Sequence, residues 1–177
     1  MKPILATAAA LAVLALVPQA QGMSHGGMKQ ATAAMKDADG NDIGTVSLDE
    51  NGNGVLIRAE LSGLPPGEHA FHIHETGSCE DGFAAAGDHY NPTGDEHGTL
   101  NPAGAHAGDT PNIWVAESGE AVHHVITADV TLAEDAEATV FDDDGSAIVI
   151  HENPDSYEAD AGAGGRIACG VIEAAGG

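Results

Sequence analysis

The segment Ile43-Gly44-Thr45-Val46-Ser47-Leu48-Asp49-Glu50-Asn51-Gly52-Asn53-Gly54-Val55-Leu56-Ile57-Arg58-Ala59-Glu60-Leu61 is two apolar stretches around a turn-forming hexapeptide. Its period is two, not 3.6. Val46 and Leu48 alternate with Thr45 and Ser47, and Val55, Ile57, Ala59 and Leu61 alternate with Leu56, Arg58 and Glu60. Such alternation puts every second side chain on one face of a strand. Asp49 to Gly54 supplies the turn between strands at 43–48 and 55–61. The same rhythm extends both ways. Ala31, Ala33 and Met35 alternate before it, and short strands follow at 70–74, 113–116, 124–132, 147–151 and 167–172. No stretch sustains a 3.6-residue pattern. The chain is therefore expected to be all-β, a barrel or sandwich of about eight antiparallel strands.

Two long segments break the rhythm, 75–112 and 152–166, both rich in Gly and acids. Loops this long are uncommon in a compact domain unless they carry function. At the other end, Lys2 precedes an uncharged run from Ile4 to Val17, and Pro18 to Gly22 forms a cleavage zone. This is the pattern of a secretory signal peptide, too short to span a membrane. The expected organisation is thus 1–22 signal peptide, 23–30 flexible leader and 31–177 folded domain, with no membrane association once the signal is removed. The two cysteines, Cys79 and Cys169, allow a single intramolecular pairing. In an oxidising compartment that pairing is favoured over two buried thiols.

Composition narrows the partners. The 177 residues carry 5 Lys+Arg against 28 Asp+Glu, a formal charge of −23. That balance excludes nucleic acid and anionic membranes, which need a basic footprint. Aromatics are 3%, too few for base-stacking platforms.

The ten histidines are the main functional signal. His72 and His74 lie two apart on a strand, so both imidazoles face one way. His89, His97, His106 and Asp109 follow in the first long segment, and His151 ends the penultimate strand. Imidazole suits copper and zinc, and three imidazoles with one carboxylate suit tetrahedral zinc. Six histidines and one aspartate fill two four-coordinate sites if one imidazole serves both. Scattered surface histidines would not fall in this order.

Other polar clusters read as structural. Asp49 to Gly54 with Glu60 matches a calcium-loop spacing, but its Gly and Pro flanks build no helices, so it is read as a hairpin turn. His123 and His124 are adjacent on a strand and point to opposite faces. His69 is read as structural. Met23, His25 and Met28 offer copper donors, but the leader is read as a flexible tail.

The segments Gly67 to Glu75, Gly77-Ser78-Cys79, Ala86 to Pro92, His97-Gly98, His106 to Asp109, Gly145 to Glu152 and Gly165 to Ile172 together resemble the copper/zinc superoxide dismutases in their bacterial exported form. The resemblance covers residues 30–173. It implies a Greek-key barrel or sandwich with two functional loops, one copper and one zinc per chain, and superoxide as substrate. It implies His72, His74, His89 and His151 as copper ligands, and His89, His97, His106 and Asp109 as zinc ligands, with His89 bridging. It further implies catalytic roles for Arg166, which docks the anion, and for His89, which carries a proton. Asp155 would link His72 to His97, and Cys79–Cys169 would be the disulfide. Periplasmic or secreted location follows, and both monomer and homodimer are compatible with it. A non-catalytic copper or zinc module on the same fold is the alternative, expected to lack a copper histidine or the arginine.

Overall fold

The computed structural model describes residues 28–175. The expected signal peptide and most of the expected leader, with Met23 and His25, lie outside them. The described chain is nearly all β. Its strands are β1 (Lys29–Asp37), β2 (Asp42–Asn51), β3 (Gly54–Leu61), β4 (Gly67–His69), β5 (Phe71–His74), β6 (Ile113–Val115), β7 (Ala121–Thr127), β8 (Ala147–His151) and β9 (Arg166–Ala174). Seven form one antiparallel sheet in the order β5-β8-β9-β1-β2-β3-β7, and β4 pairs with β6 in a small second sheet. Sequence neighbours β1, β2 and β3 form a meander. The links from β3 to β5, β5 to β7 and β7 to β8 all cross between the sheet's two edges.

The large sheet curls around one core. Ala33, Val46, Leu48 and Ile57 from the meander share that core with Phe71, Ile73, Ile148 and Ile150 from the far edge. The expected alternation is present: Ala31, Ala33 and Met35 are buried while their neighbours in β1 are exposed. It slips once, where the register between β1 and β2 shifts at Met35/Lys36. Gly44 lies beside that shift with φ 132, and a Cβ there would meet the Glu60 carbonyl oxygen at 2.1 Å, so only glycine fits.

Strands β5 and β8 are buried on both faces. One face, with Phe71, Ile73, Ile148 and Ile150, belongs to the core. The opposite face carries His72, His74, Ala147, Val149 and His151. A second small cluster covers part of it: Ala147, Val149 and Cys169 pack against Phe83 and Ala86. The disulfide Cys79–Cys169 ties the start of the first loop to β9 beside that cluster.

Several boundaries differ from the sequence reading. The expected leader ended at residue 30, but Lys29 and Gln30 already pair with Glu50 and Asp49 in β1 and β2. The expected strand 70–74 begins at Phe71 as β5, and the chain bends at Ala70, whose amide donates to Asn153, so that Gly67–His69 before it forms a separate short strand, β4. That bend raises the count to nine. The expected strand 124–132 starts at Ala121 and stops at Thr127, because β3 ends its pairing there. Beyond it, Glu50 accepts bonds from the Thr131 hydroxyl and the Leu132 amide and folds the chain away from the sheet. Val130 and Leu132 are buried without being strand. Residues 128–146 are therefore a third long irregular segment, unrecognised in the sequence.

The 49–54 hexapeptide is also tighter than expected. Strands run through Asn51 and resume at Gly54, leaving Gly52 and Asn53 as the turn. Asp49 accepts a bond from Gln30 and an ion pair from Arg58.

Candidate metal centre

The outward face of β5 and β8 is the floor of the site. In the pairing of these strands His72 lies opposite Val149 and His74 opposite Ala147, with His151 at the end of β8. His72, His74 and His151 are all buried. The first loop brings the remaining histidines by docking along β5 like an extra strand. His74 bridges to His89 and His72 to Asp109. The Ile73 amide donates to Gly108, and the Tyr90 amide donates to Ile73. Gly108 has no freedom to be larger: a Cβ there would sit 2.2 Å from the Ile73 carbonyl oxygen.

The result is two groups whose ligand atoms lie within 4.8 Å of one another. One is His72, His74, His89 and His151; the other is His72, His89, His97 and Asp109. His106 adjoins the second, its ring centroid 5.5 Å from those of His89 and His97, with Nδ1 3.5 Å from Asp109 Oδ1. Every histidine and aspartate expected at the two metals is thus in one cluster. His72, like His89, belongs to both groups, which the sequence did not suggest.

The ring nitrogens show what the cluster is prepared to hold. His74 donates through Nδ1 to the Gly87 carbonyl oxygen, leaving Nε2 as a lone pair. That Nε2 faces His151 Nε2 at 3.2 Å, while His151 Nδ1 lies 3.4 Å from the Gly164 carbonyl oxygen. Two lone pairs facing each other repel unless a cation lies between them. His72 Nδ1 and His106 Nδ1 are buried with no hydrogen-bond partner. Buried polar nitrogens without partners are costly in a protein interior and are relieved by a metal ion. The donor set, imidazole with one carboxylate, fits copper and zinc.

The carboxylates orient the rings. Asp155 Oδ2 accepts from His72 Nε2 at 2.7 Å and from His97 Nε2 at 3.0 Å, so one buried oxygen joins both groups. Its Oδ1 accepts the Tyr157 amide. Asp109 Oδ1 accepts from His89 Nδ1 at 2.8 Å, and its Oδ2 accepts the Gly98 and His106 amides. Burial alone would raise both carboxyl pKa values. The bonds from His72 and Tyr157 to Asp155, and from His89 and Gly98 to Asp109, outweigh it and hold both below the usual range. Burial pushes the imidazoles the other way: His74 to about 2 and His151 to about 4. Neutral rings are the metal-binding form.

Arg166 opens β9 beside His151. Its guanidinium donates to the carbonyl oxygens of Phe83 and Gly87 in the 3-10 turn Asp81–Ala86 and the residue after it. Gly87 therefore receives both Arg166 and His74 on a single oxygen. Asp81 and Phe83 in that turn take positive φ values of 51 and 72, which sets its carbonyls facing the arginine.

Two residues here escaped the sequence reading. Asn112 accepts the Asp155 amide and donates to the Asp155 carbonyl oxygen, clamping the second loop. Tyr157 accepts the Asn112 amide on its hydroxyl. A lone Asn at the end of a Gly-rich loop carries no signal in sequence. The side chains read as structural also have their places. His69 lies between the carbonyl oxygens of His151 and Pro65, and His123 packs edge-on against Phe71 while His124 is exposed.

The sequence model of the copper/zinc superoxide dismutase family matches residues 43–172. Superoxide dismutase [Cu-Zn] 2 of Aquifex aeolicus is 46% identical over 147 residues, covering 81% of this chain and 86% of that protein. The solved structure of Cu/Zn superoxide dismutase from Brucella abortus superimposes with a TM-score of 0.65 at 32% identity, covering 81% of this chain and 99% of that one. A SOD-like protein from Bacillus subtilis superimposes with a TM-score of 0.75 at 34% identity, covering 79% and 96%. With a match of this extent, the chain belongs to the copper/zinc superoxide dismutase family.

Proposed function

We propose that the protein is an exported superoxide dismutase, converting two superoxide anions and two protons into O2 and H2O2. The observation that carries this is the pair of histidine groups sharing His72 and His89, with partnerless ring nitrogens on His72 and His106. His72, His74, His89 and His151 hold copper; His89, His97, His106 and Asp109 hold zinc. Copper supplies one-electron chemistry that zinc, lacking redox states, does not.

The side chains do the rest. The Arg166 guanidinium attracts the anion to the histidine face. Three backbone carbonyls from Phe83, Ala84 and Gly87 hold its guanidinium in place, so the anion meets a fixed fork. His89 has Nδ1 against Asp109 and keeps Nε2 for the copper group; that Nε2 takes up and releases a proton during turnover. Asp155 fixes the tautomer of His72, which keeps its Nδ1 free for a metal, and positions the ring of His97, whose Nδ1 is anchored on the Glu158 carbonyl oxygen.

Residues 1–22 act as the export signal, 23–28 remain as a short leader before β1, and the catalytic domain fills the rest. The Cys79–Cys169 bond fits the periplasm, where disulfides persist.

The test is metal content with activity on the mature chain. One copper and one zinc per chain with removal of superoxide is the expected result. Zinc alone, with no activity after copper is supplied, would overturn it and leave a non-catalytic metal-binding module.

A further inference from the structure

Between the two long loops lies a cleft of about 460 Å3. His89, His97 and His106 line it, together with Glu75 and Asp88 from the first loop and Asp160 from the second. The three histidines are buried or half-buried and the three carboxylates are exposed, so the acids stand on the solvent side. The Asp88 amide donates to Glu75 Oε1 at 3.1 Å, which holds these two acids on the same rim. No lysine or arginine lines the cleft, and neither do His72, His74 or His151. It reaches three of the four zinc ligands, and the shared His89 is the only copper ligand among its lining residues.

We infer that this cleft is the route by which zinc reaches its ligands, with Glu75, Asp88 and Asp160 capturing the hydrated dication first. The inference rests on the assignment of His89, His97, His106 and Asp109 to zinc. Carboxylate oxygens are zinc ligands in their own right, but exposed ones hold a hydrated ion loosely. The imidazoles below take it over. His106 Nδ1 waits there without a hydrogen-bond partner, and His89 and His97 lie within one ring spacing of it. A cleft lined by charge of one sign focuses the field and raises the local concentration of the opposite ion. The strong acidity of the chain then has a use: it draws a cation into a cleft that holds no competing positive charge.

The test is the rate of zinc uptake by the metal-free, disulfide-intact protein, followed by loss of zinc from a coloured chelator. The triple variant Glu75→Gln, Asp88→Asn, Asp160→Asn is compared with Glu117→Gln, Glu134→Gln, Glu173→Gln, which removes the same charge elsewhere. We expect the cleft variant to take up zinc about tenfold more slowly. It should still reach one zinc per chain at equilibrium, and copper uptake by its zinc-loaded form should be unchanged. The distant variant should behave like the parent. Equal slowing in both variants, equal slowing for copper, or no slowing at all would overturn the inference. A parent protein that takes up no zinc would instead remove the zinc assignment, and this inference with it.

Discussion

Asp155 is the residue on which both groups depend, because one oxygen accepts from His72 and His97 together. An asparagine there keeps the shape but loses the charge that favours two N–H donors. Asp155→Asn is expected to weaken copper and zinc binding by about 10- to 100-fold each, the usual effect of removing a carboxylate behind a ligand. Chelator competition would measure it, and unchanged affinity for both metals would refute the role. What the sequence shows at this scale follows from chain distance. His72 and His74 are legible because strand geometry alone puts them together. Asp155 could be placed only by family resemblance. Asn112 could not be placed at all, since its two bonds to Asp155 exist only after loops 43 residues apart close on each other.

At the scale of elements, the fold holds the site through three attachments. The first is the docking of the first loop on β5 through Gly108. Gly108→Ala would press a methyl against the Ile73 carbonyl. The expected outcome is a lower melting temperature together with loss of zinc, because His89 and Asp109 ride on the same stretch of chain. A variant with normal zinc content would show that the loop can shift without loss. The second attachment is the disulfide, which closes a loop of sequence separation 90. Replacing both cysteines with serine is expected to cost about 2–5 kcal/mol in urea unfolding. Activity per bound copper should fall as well, since the 3-10 turn that holds Arg166 loses its tether to β9. The third is the Asn112 clamp. Strand positions were legible from alternation, but residues 128–132 were misread as strand for a definite reason. Val130 and Leu132 alternate with polar neighbours and are buried, yet the Leu132 amide goes to Glu50, and the Thr131 backbone bonds Ala138 and Val140 in the same irregular segment rather than a strand of the sheet. Periodicity reports burial, and burial does not require a ladder.

For the molecule as a whole, the cluster sets the acid limit of the metal-free protein. Burial holds His74 to about 2 and His151 to about 4, against about 6.5 for histidine in an unfolded chain. Between those values the unfolded state binds protons that the folded state refuses. Stability is therefore highest above pH 6.5 and falls as pH drops toward 4 and below. Urea midpoints of the metal-free protein at pH 7.5, 5.5 and 4.5 should decline in that order, and a flat series would contradict the burial.

The same whole-molecule charge acts on the substrate. Five basic residues oppose 28 acidic ones, and the second loop carries Glu152, Asp155, Glu158 and Asp160 without a lysine. Superoxide is an anion, so the long-range field repels it, and Arg166 with the bound metals attracts it at close range. Salt screens the distant charges first: the Debye length falls from about 30 Å at 0.01 M to about 8 Å at 0.15 M. Arg166 acts within that shorter distance and is screened less. The rate of superoxide removal, followed by pulse radiolysis at fixed pH, is expected to rise over this range of salt. Zinc uptake through the acidic cleft should fall over the same range, because there the field attracts. A superoxide rate that only falls with salt would mean that Arg166 and the metals outweigh the rest of the charge even at a distance. Opposite salt slopes for anion and cation would mark a single field, set by the same acidic residues, acting on both.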